Sequence, residues 1–120
     1  MNPSTGVLTG RRVLVVEDEA IVSLMLADLL IEAGCVVIGP VGSTAEALAL
    51  IERETIHCAI LDVKLTECRC LLPKLAARGI RFVVATGYAA IPPGYNGARV
   101  LRKLFMPGEV VDALADILRP

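Results

Sequence analysis

The sequence predicts an α/β fold in which a mostly parallel sheet is covered by helices on both faces. Short, strongly apolar runs alternate along the chain with segments whose apolar residues recur at helical spacing. The runs are too continuously apolar for strands with one wet face, so they predict strands buried on both sides. At 120 residues the chain has the length of one domain. We expect a flexible segment over residues 1–10 and the domain over 11–120.

Five apolar runs predict the strands of the sheet. The first run, Arg12-Val13-Leu14-Val15-Val16, is rich in β-branched residues and ends at a pair of acids. The predicted strands cover residues 12–16, 36–38, 58–61, 82–85 and 99–102, of which the last is the most weakly marked. Right-handed crossovers between parallel strands then place the helices on both faces.

Four segments predict the helices, over residues 20–33, 43–53, 71–78 and 108–118. Helical spacing of apolar residues predicts which face of a helix is buried. In the first helix the residues at that spacing are Ile21, Leu24, Met25, Leu29 and Leu30. In the last helix they are Val110, Val111, Leu114, Ile117 and Leu118.

Capping residues support the helix boundaries. Ser43 is a credible N-cap, with Glu46 three residues later as its capping-box partner. Gly34 and Gly79 stand where helices should stop. The segment 89–97 contains Pro and Gly residues that should prevent a regular helix.

The composition argues against several classes of function. The formal net charge is −1 and no basic run stands out, so the chain lacks the electrostatic signature of a nucleic-acid-binding protein. No apolar stretch approaches the roughly 20 residues that span a bilayer, and residues 1–10 do not resemble a secretory signal. We therefore expect a cytoplasmic protein with no membrane partner. The start at Met1 favours a stand-alone protein over the alternative, a part of a longer chain.

The four cysteines do not form a recognisable metal or redox motif. Cys35 and Cys58 lie in or beside apolar segments, where a free cysteine acts as a small hydrophobic residue. Cys68 and Cys70 form a C-x-C pair without a second pair or a nearby histidine, whereas zinc usually takes four protein ligands. His57 precedes a predicted strand and is expected to have a surface or strand-entry role.

Four of the five predicted strands deliver a charged or hydroxyl side chain to one edge of the sheet. Glu17 and Asp18 follow the first strand, Asp62 the third, Thr86 the fourth and Lys103 the fifth. In sheets of this kind ligands bind beyond the carboxyl ends of the strands. Each residue also has a structural explanation by itself: a helix cap, a turn, a strand end or a lysine at the sheet edge. Those explanations do not account for all five in this order.

The residue types at this edge fit one kind of chemistry. Three carboxylates suit a hard divalent cation such as Mg²⁺. An aspartate can act as a nucleophile toward phosphorus, and an ammonium and a hydroxyl can hold phosphoryl oxygens. Without a cation, three carboxylates would repel an anionic phosphoryl donor. The residue types therefore predict Mg²⁺-dependent transfer of a phosphoryl group to an aspartate at this edge of the sheet.

In this arrangement the sequence resembles the receiver domains of bacterial two-component response regulators. The resemblance covers residues 12 to about 118 and rests on VLVVEDE (13–19), AILDV (59–63), VATGY (84–88) and Lys103. It implies a flavodoxin-like three-layer sandwich with strand order 2-1-3-4-5. The Ala-Thr-Gly-Tyr motif before a Pro-rich segment also resembles a receiver subgroup whose fourth helix is short or absent.

The resemblance assigns the metal ligands and the phosphoacceptor. Asp62 would accept the phosphoryl group, and Asp18 would bind Mg²⁺ with Asp62 and the backbone carbonyl of Lys64. Glu17 would act mainly through a metal-bound water molecule. We also hypothesise that the Lys64 side chain changes the lifetime of the acyl phosphate, the alternative being a solvated loop lysine.

The resemblance also implies a switch and its partners. Thr86 would bind a phosphoryl oxygen and move on activation, and Lys103 would pair with the phosphoryl group. The donor would be a phosphohistidine on a sensor histidine kinase or a histidine phosphotransfer protein. A downstream protein target would recognise the surface between the fourth strand and the last helix. The domain would catalyse only its own phosphorylation and dephosphorylation, and no other cofactor is implied.

Two positions depart from the family pattern. Leu104 follows Lys103, where the family usually has a proline in a cis bond. Because a cis bond before a residue other than proline costs about 3 kcal/mol or more, we expect a trans bond there. Val100 stands where many receivers have an aromatic switch residue, so Tyr88 is the candidate for that role.

Three other interpretations compete with phosphorylation. The first is a pseudo-receiver, the same fold used as a protein-binding module without phosphorylation. The second is a haloacid-dehalogenase-type phosphohydrolase, which would need a second acid where Lys64 stands. The third is a flavodoxin-like cofactor binder, but no glycine-rich phosphate loop follows the first strand.

Overall fold

The protein forms a single parallel sheet in the residues that the structure describes. The computed structural model describes residues 3–62, 70–87, 95 and 98–119. Five strands lie in this part of the chain: β1 (Arg12–Val16), β2 (Val36–Val41), β3 (Cys58–Asp62), β4 (Arg81–Thr86) and β5 (Arg99–Arg102). They pair in parallel in the order β2-β1-β3-β4-β5. The predicted α/β class and the implied strand order are confirmed.

Five helices in the same part of the chain accompany the sheet: α1 (Pro3–Leu8), α2 (Ala20–Glu32), α3 (Thr44–Arg53), α4 (Leu72–Ala77) and α5 (Pro107–Leu118). Both ends of α2 to α5 lie within one residue of the predicted segments. Within the described ranges, none of the helices combines the length and the hydropathy needed to cross a bilayer.

The caps of α2, α3 and α4 form at the residues that the sequence predicts. The amide of Glu46 donates to Ser43 Oγ at 3.2 Å, and Ser43 Oγ lies 2.9 Å from Glu46 Oε1. Ser43 therefore caps α3 and satisfies one amide left free in its first turn, while the Glu46 carboxylate contacts the Ser43 hydroxyl and not, as in the predicted capping box, the Ser43 amide. Gly34 and Gly79 follow α2 and α4 with φ angles of 91° and 68°, a region that a residue with a Cβ rarely adopts.

Helix α1 was not predicted from the sequence. Residues 1–10 were expected to form a flexible segment, but Pro3–Leu8 is helical and Leu8 is fully buried. The amide of Arg11 donates to the Leu8 carbonyl at 3.0 Å, which ends the helix in a turn before β1. Leu8 joins the same core cluster as the buried side chains of α5. One apolar anchor in a segment rich in polar residues and glycine was too weak a signal to predict this docking.

The strands are buried on both faces because their side chains alternate between two cores. Val13 and Val15 of β1 pack in one cluster with side chains of α2 and α5. Leu14 and Val16 pack in the other cluster, with side chains of α3 and α4. Alternation along a strand sends neighbouring residues to opposite faces, so a continuously apolar run fills both layers.

Helix α2 buries a different face from the one predicted. Ile21, Leu24 and Met25 were expected in the core, but their exposed fractions are 82%, 66% and 40%. The core contacts come from Leu26, Leu29 and Leu30, of which Leu29 and Leu30 were predicted. Because α2 is apolar around most of its circumference, the spacing of its apolar residues does not select one face. The predicted face of α5 is confirmed, since Val110, Val111 and Leu114 are buried.

Strand β2 continues past its predicted end at Ile38 and runs to Val41. Its register against β1 shifts between Leu14 and Val16. Gly39 allows this path, because its φ is 94° and a Cβ there would lie 2.9 Å from the Val41 nitrogen. The Gly39–Pro40 bond is cis. The Val41 carbonyl then accepts the amide of Glu17 at 2.9 Å, which fixes the backbone where β1 ends.

The connection between β4 and β5 lies mostly outside the described residues. The prediction of a short or absent fourth helix falls on residues 88–94 and 96–97, which the structure does not describe. Tyr95, between these two ranges, is buried against Val84 in a small cluster.

Candidate functional site

The ends of four strands place polar side chains at one edge of the sheet. Glu17 directly follows β1, Asp62 is the last residue of β3, Thr86 is the last residue of β4, and Lys103 directly follows β5. The amide of Lys103 donates to the Thr86 carbonyl at 2.8 Å, so the two residues are adjacent across β4 and β5. Asp62 and Thr86 are each only 1% exposed.

Four carboxylates come together at this edge. One carboxylate oxygen from each of Glu17, Asp18, Glu19 and Asp62 lies within 4.8 Å of the others. Glu17 and Asp62 are buried, whereas Asp18 and Glu19 are exposed. The cluster, which we call the acidic cluster, therefore has a buried floor and an open, solvent-facing side.

Lys103 extends its ammonium into the acidic cluster. Its Nζ atom lies 2.7 Å from Glu17 Oε1, 2.9 Å from Glu19 Oε1 and 3.5 Å from Asp62 Oδ2. Burial of the ammonium opposes its charge, but the hydrogen bonds to Glu17 and Glu19 and the charges of Asp62 and Glu17 outweigh burial and raise the pKa of Lys103. Lys103 is therefore a permanent cation within the acidic cluster.

The carboxyl group of Glu17 holds its proton more tightly than an ordinary glutamate does. Burial is the largest cause, and the hydrogen bond and charge of Asp62 add to it, while Lys103 opposes both; together they raise the pKa of Glu17 to about 7. The Lys103 ammonium is shared among three carboxylates, so its attraction does not offset the lost hydration of the Glu17 carboxylate and the repulsion between Glu17 and Asp62. The acidic cluster therefore carries more negative charge than Lys103 alone can balance.

The acidic cluster fits a hard divalent cation. Mg²⁺ binds oxygen ligands at about 2.0–2.1 Å in octahedral geometry, so ligand atoms on opposite sides are about 4.2 Å apart. The carboxylate oxygens of the acidic cluster, all within 4.8 Å of one another, need only small shifts to reach that spacing. All donors in the acidic cluster are carboxylate oxygens, which is the chemistry that Mg²⁺ prefers over softer metals.

Solved structures of other proteins resemble this chain over nearly its whole length. SdrG from Sphingomonas melonis Fr1, known from a solution structure, is 37% identical to this chain, with a TM-score of 0.78 over 94% of this chain and 98% of that one. The BeF3-activated conformation of SdrG is 36% identical, with a TM-score of 0.75 over 99% of this chain and 100% of that one. The CheY-like response regulator receiver domain protein from Methanospirillum hungatei JF-1 shares the fold at 24% identity, with a TM-score of 0.79 over 92% and 94% of the two chains.

The chain belongs to the response regulator receiver domains.

A match to one curated protein covers less of this chain than the solved structures do. The transcriptional regulatory protein PdtaR of Mycobacterium tuberculosis is 42% identical over 55 residues, which are 46% of this chain. The match spans 27% of that protein, about a quarter of its length. A scan against family models gives no match.

The structure leaves two of the predicted site residues untested. Lys64, whose carbonyl was the third expected metal ligand, and Tyr88, the candidate aromatic switch residue, lie outside the described residues. The structure brings Glu17, Asp18 and Asp62 together with Lys103. It places Thr86 beside Lys103 through the backbone.

The bond between Lys103 and Leu104 corrects a prediction. A trans bond was expected because Leu104 is not a proline, but the bond is cis. The residues on either side are held by tertiary contacts: the Lys103 amide binds the Thr86 carbonyl, and the Phe105 side chain is buried. These contacts override the local preference for trans on which the prediction was based. Leu104 itself points outward and is 95% exposed.

Two residues of the receiver domain were missed at the sequence level. Glu19 contributes a carboxylate to the acidic cluster and an ion pair to Lys103. Its signal was present, since it is the third consecutive acid after β1, but a third acid there also fits the N-cap of α2, a position it does occupy. Tyr95 packs against Val84, two residues before Thr86, in a segment whose Pro and Gly content indicated only a loop.

Proposed function

We propose that this receiver domain accepts a phosphoryl group on Asp62 and uses the modification to control a protein partner. The observation that supports this most is the position of Asp62. Its carboxylate is 1% exposed, belongs to the acidic cluster and lies 3.5 Å from the ammonium of Lys103. The ammonium beside this carboxylate can also bind the oxygens of the transferred phosphoryl group. A carboxylate in such a position is suited to nucleophilic attack on phosphorus.

The proposed transfer uses a phosphohistidine as the donor. An Asp62 carboxylate oxygen forms the new bond to phosphorus, and the bond between phosphorus and the imidazole nitrogen breaks with its electron pair going to that nitrogen. Lys103 neutralises charge on the incoming phosphoryl oxygens, and the Thr86 hydroxyl, at the neighbouring strand end, would donate a hydrogen bond to one of them. The domain acts on no substrate other than its own aspartate.

Mg²⁺ is the proposed cofactor of this transfer. Asp18 and Asp62 would hold it, with Glu17 beneath and Glu19 at the solvent side. When bound, the ion supplies positive charge that offsets the repulsion between the carboxylates and an anionic donor. Four carboxylates and one ammonium leave a net negative site, and this imbalance supports the need for the cation.

An apolar surface beside the acidic cluster supports a protein as the phosphoryl donor. A cavity of about 180 Å³ borders Lys103 and Glu19 and is walled by Met25, Leu104 and Phe105. Three large apolar residues that neighbour the lining residues in the chain are also exposed: Ile21, Leu24 and Met106. A histidine kinase or phosphotransfer protein that covered this surface would exclude water from the reacting groups.

The test is phosphorylation by a small-molecule donor. The protein is incubated with acetyl phosphate and Mg²⁺ and weighed intact by mass spectrometry. We expect the mass of one added phosphoryl group, which disappears with EDTA and in Asp62→Asn. The matched control is Asp116→Asn, because Asp116 is an exposed aspartate on α5 remote from the acidic cluster and should leave the gain unchanged.

The alternative function is a protein-binding module that is not phosphorylated. Lys103 already forms three close ion pairs within the acidic cluster, which could make the cluster a purely structural feature. In that case the intact protein gains no mass from acetyl phosphate although it remains folded by circular dichroism.

A further inference from the structure

A second charged site lies at the opposite edge of the sheet, where the strands begin. It is a cavity of about 380 Å³, here called the basic cleft. Its walls are Arg11, His57, Arg78 and Arg81, over a floor that includes Ile56 and Leu118. Arg11 precedes β1, His57 precedes β3 and Arg81 begins β4. A five-residue strand is about 17 Å long, so the basic cleft is separated from the acidic cluster by roughly the length of β3.

The positive charge of the basic cleft is not balanced by its walls. Among the residues that the structure describes, no carboxylate lines it, and Arg11, Arg78 and Arg81 form no ion pair with an acid. Two other arginines behave differently: Arg12 pairs with Glu54 at 3.0 Å and Arg99 with Asp116 at 3.1 Å. Three guanidinium groups around one cavity repel one another unless an anion lies between them.

The donors of the basic cleft are partly held in place. Arg81 Nη1 donates to the carbonyls of Ile117 and Arg119 at 2.7 and 2.6 Å, which fixes its guanidinium at the end of α5. Arg11 Nε donates to the Val7 carbonyl at 3.1 Å, leaving its terminal nitrogens for a ligand. Because the protein already orders these two arginine side chains, a ligand that binds them causes a smaller loss of side-chain conformational entropy.

His57 adds a neutral donor to the basic cleft. Its Nδ1 atom accepts the amide hydrogen of Arg12 at 2.9 Å, so this nitrogen carries no proton. The neutral imidazole then has its proton on Nε2. The described lining of the basic cleft consequently offers N–H donors from four side chains, and its one side-chain acceptor, His57 Nδ1, is already engaged.

We propose that the basic cleft binds a small phosphate-bearing anion. Arginine forks match phosphate oxygens in pairs, and guanidinium groups are the preferred partners of phosphate in proteins. A cavity of about 380 Å³ lies at the lower end of the range for small-molecule sites. The adjoining cavity, of about 230 Å³, shares Arg78 but carries Glu54, so the anion is confined to the arginine-lined part.

The test is a titration of the Mg²⁺-free protein, in EDTA, with inorganic phosphate and separately with AMP. Amide NMR shifts of His57 and Gly79 are followed, with KCl at matched ionic strength as the reference. We expect saturable shifts, and at least about tenfold weaker binding in Arg78→Gln, the loss expected when one hydrogen bond to a charged group is removed. Arg78 is exposed at the end of α4, so its replacement should not unfold the protein. Lys74→Gln, which removes an exposed charge one turn earlier, is the control.

The two probes distinguish the sources of the phosphate group. Tighter binding of AMP points to a phosphomonoester, and equal or weaker binding of AMP points to free phosphate; both support the proposal. Shifts that equal those in KCl, or that weaken as much in Lys74→Gln as in Arg78→Gln, overturn it. Because no Mg²⁺ is present and Asp62 is at the other edge of the sheet, the outcome does not depend on phosphorylation.

Discussion

At the scale of single residues, the ammonium of Lys103 lies against three carboxylates, two of which have lost nearly all contact with water. Removing one member of a buried ion pair leaves the other charge without compensation, which costs far more than losing a pair at the surface. In the absence of a divalent cation, Lys103 is therefore expected to matter for stability as well as for phosphoryl transfer.

The prediction for Lys103 concerns the free energy of unfolding. In metal-free buffer at pH 8, Lys103→Gln should lower it by about 3 kcal/mol, the cost of leaving a buried charge unpaired. Arg99→Gln is the matched control, because Arg99 pairs with Asp116 at the surface and its loss should cost about 1 kcal/mol or less. Urea unfolding followed by circular dichroism measures both. Equal losses in the two variants would show that the Lys103 pairs are energetically ordinary.

A second residue-scale prediction concerns the thiols. Burial of Cys58, with a smaller effect of the nearby Cys35, raises the pKa of the Cys58 thiol to about 12, and burial raises the pKa of Cys35 as well. A raised pKa means less reactive thiolate at a given pH. At pH 8, iodoacetamide should modify the exposed Cys70 in the folded protein and leave Cys35 and Cys58 unmodified.

Peptide mass mapping measures this thiol labelling. Unfolding in guanidinium chloride should expose Cys35 and Cys58 to the reagent, which serves as the positive control. Rapid modification of Cys58 in the folded protein would mean that the β3 layer opens far more often than its complete burial indicates.

Single residues also show what the sequence can and cannot predict. The acids and the lysine were found because parallel strands bring their carboxyl ends to one edge, whatever the details of packing. The third acidic residue, Glu19, was missed because an acid directly before a helix can be either its N-cap residue or a member of a cluster of carboxylates. The sequence does not distinguish these two roles. The cis bond before Leu104 was missed because the prediction used only the local preference for a trans bond before a residue other than proline.

At the scale of elements, helix α2 presents apolar side chains on two sides. Leu26, Leu29 and Leu30 pack in the core, whereas Ile21 and Leu24 project into solvent near the acidic cluster. The sequence established that α2 is a helix but not which way it faces, since both sides are apolar. By contrast, α5 separates apolar from charged positions, and its buried face could be predicted.

Two leucines of α2 give a matched test of this orientation. Leu26→Ala should lower the free energy of unfolding by about 2–5 kcal/mol, because it leaves a cavity in the core. Leu24→Ala should change it by no more than about 0.5 kcal/mol, because Leu24 is 66% exposed. Thermal or urea unfolding of the two variants measures the difference. The reverse order of effects would show that α2 is rotated relative to the structure.

At the scale of the whole molecule, charge of opposite sign lies at the two edges of one sheet. The acidic cluster lies at the carboxyl ends of the strands, and the basic cleft lies where the strands begin. The formal net charge of −1 conceals this separation. The acidic cluster could be predicted because its members follow strand ends in the sequence. The basic cleft could not, because its arginines are dispersed and meet only through the fold.

The architecture itself was largely accessible from the sequence. Strands buried on both faces give continuous apolar runs, and glycine ends and an N-cap serine mark the helices, so the class and most element boundaries followed from local signals. The exceptions depend on contacts that local signals do not report. They are the docking of α1 through Leu8 and the extension of β2 to Val41.

The measurement that tests the central claim most directly locates the phosphoryl group within the chain. The protein is treated with acetyl phosphate and Mg²⁺, and borohydride then reduces any acyl phosphate to an alcohol that remains as a stable mark for peptide mass mapping. We expect the mark on Asp62 alone, and none when Mg²⁺ is withheld. A mark on Glu17, Asp18 or Glu19 instead, or no mark on a protein that remains folded, would contradict the assignment of Asp62 as the phosphoryl acceptor.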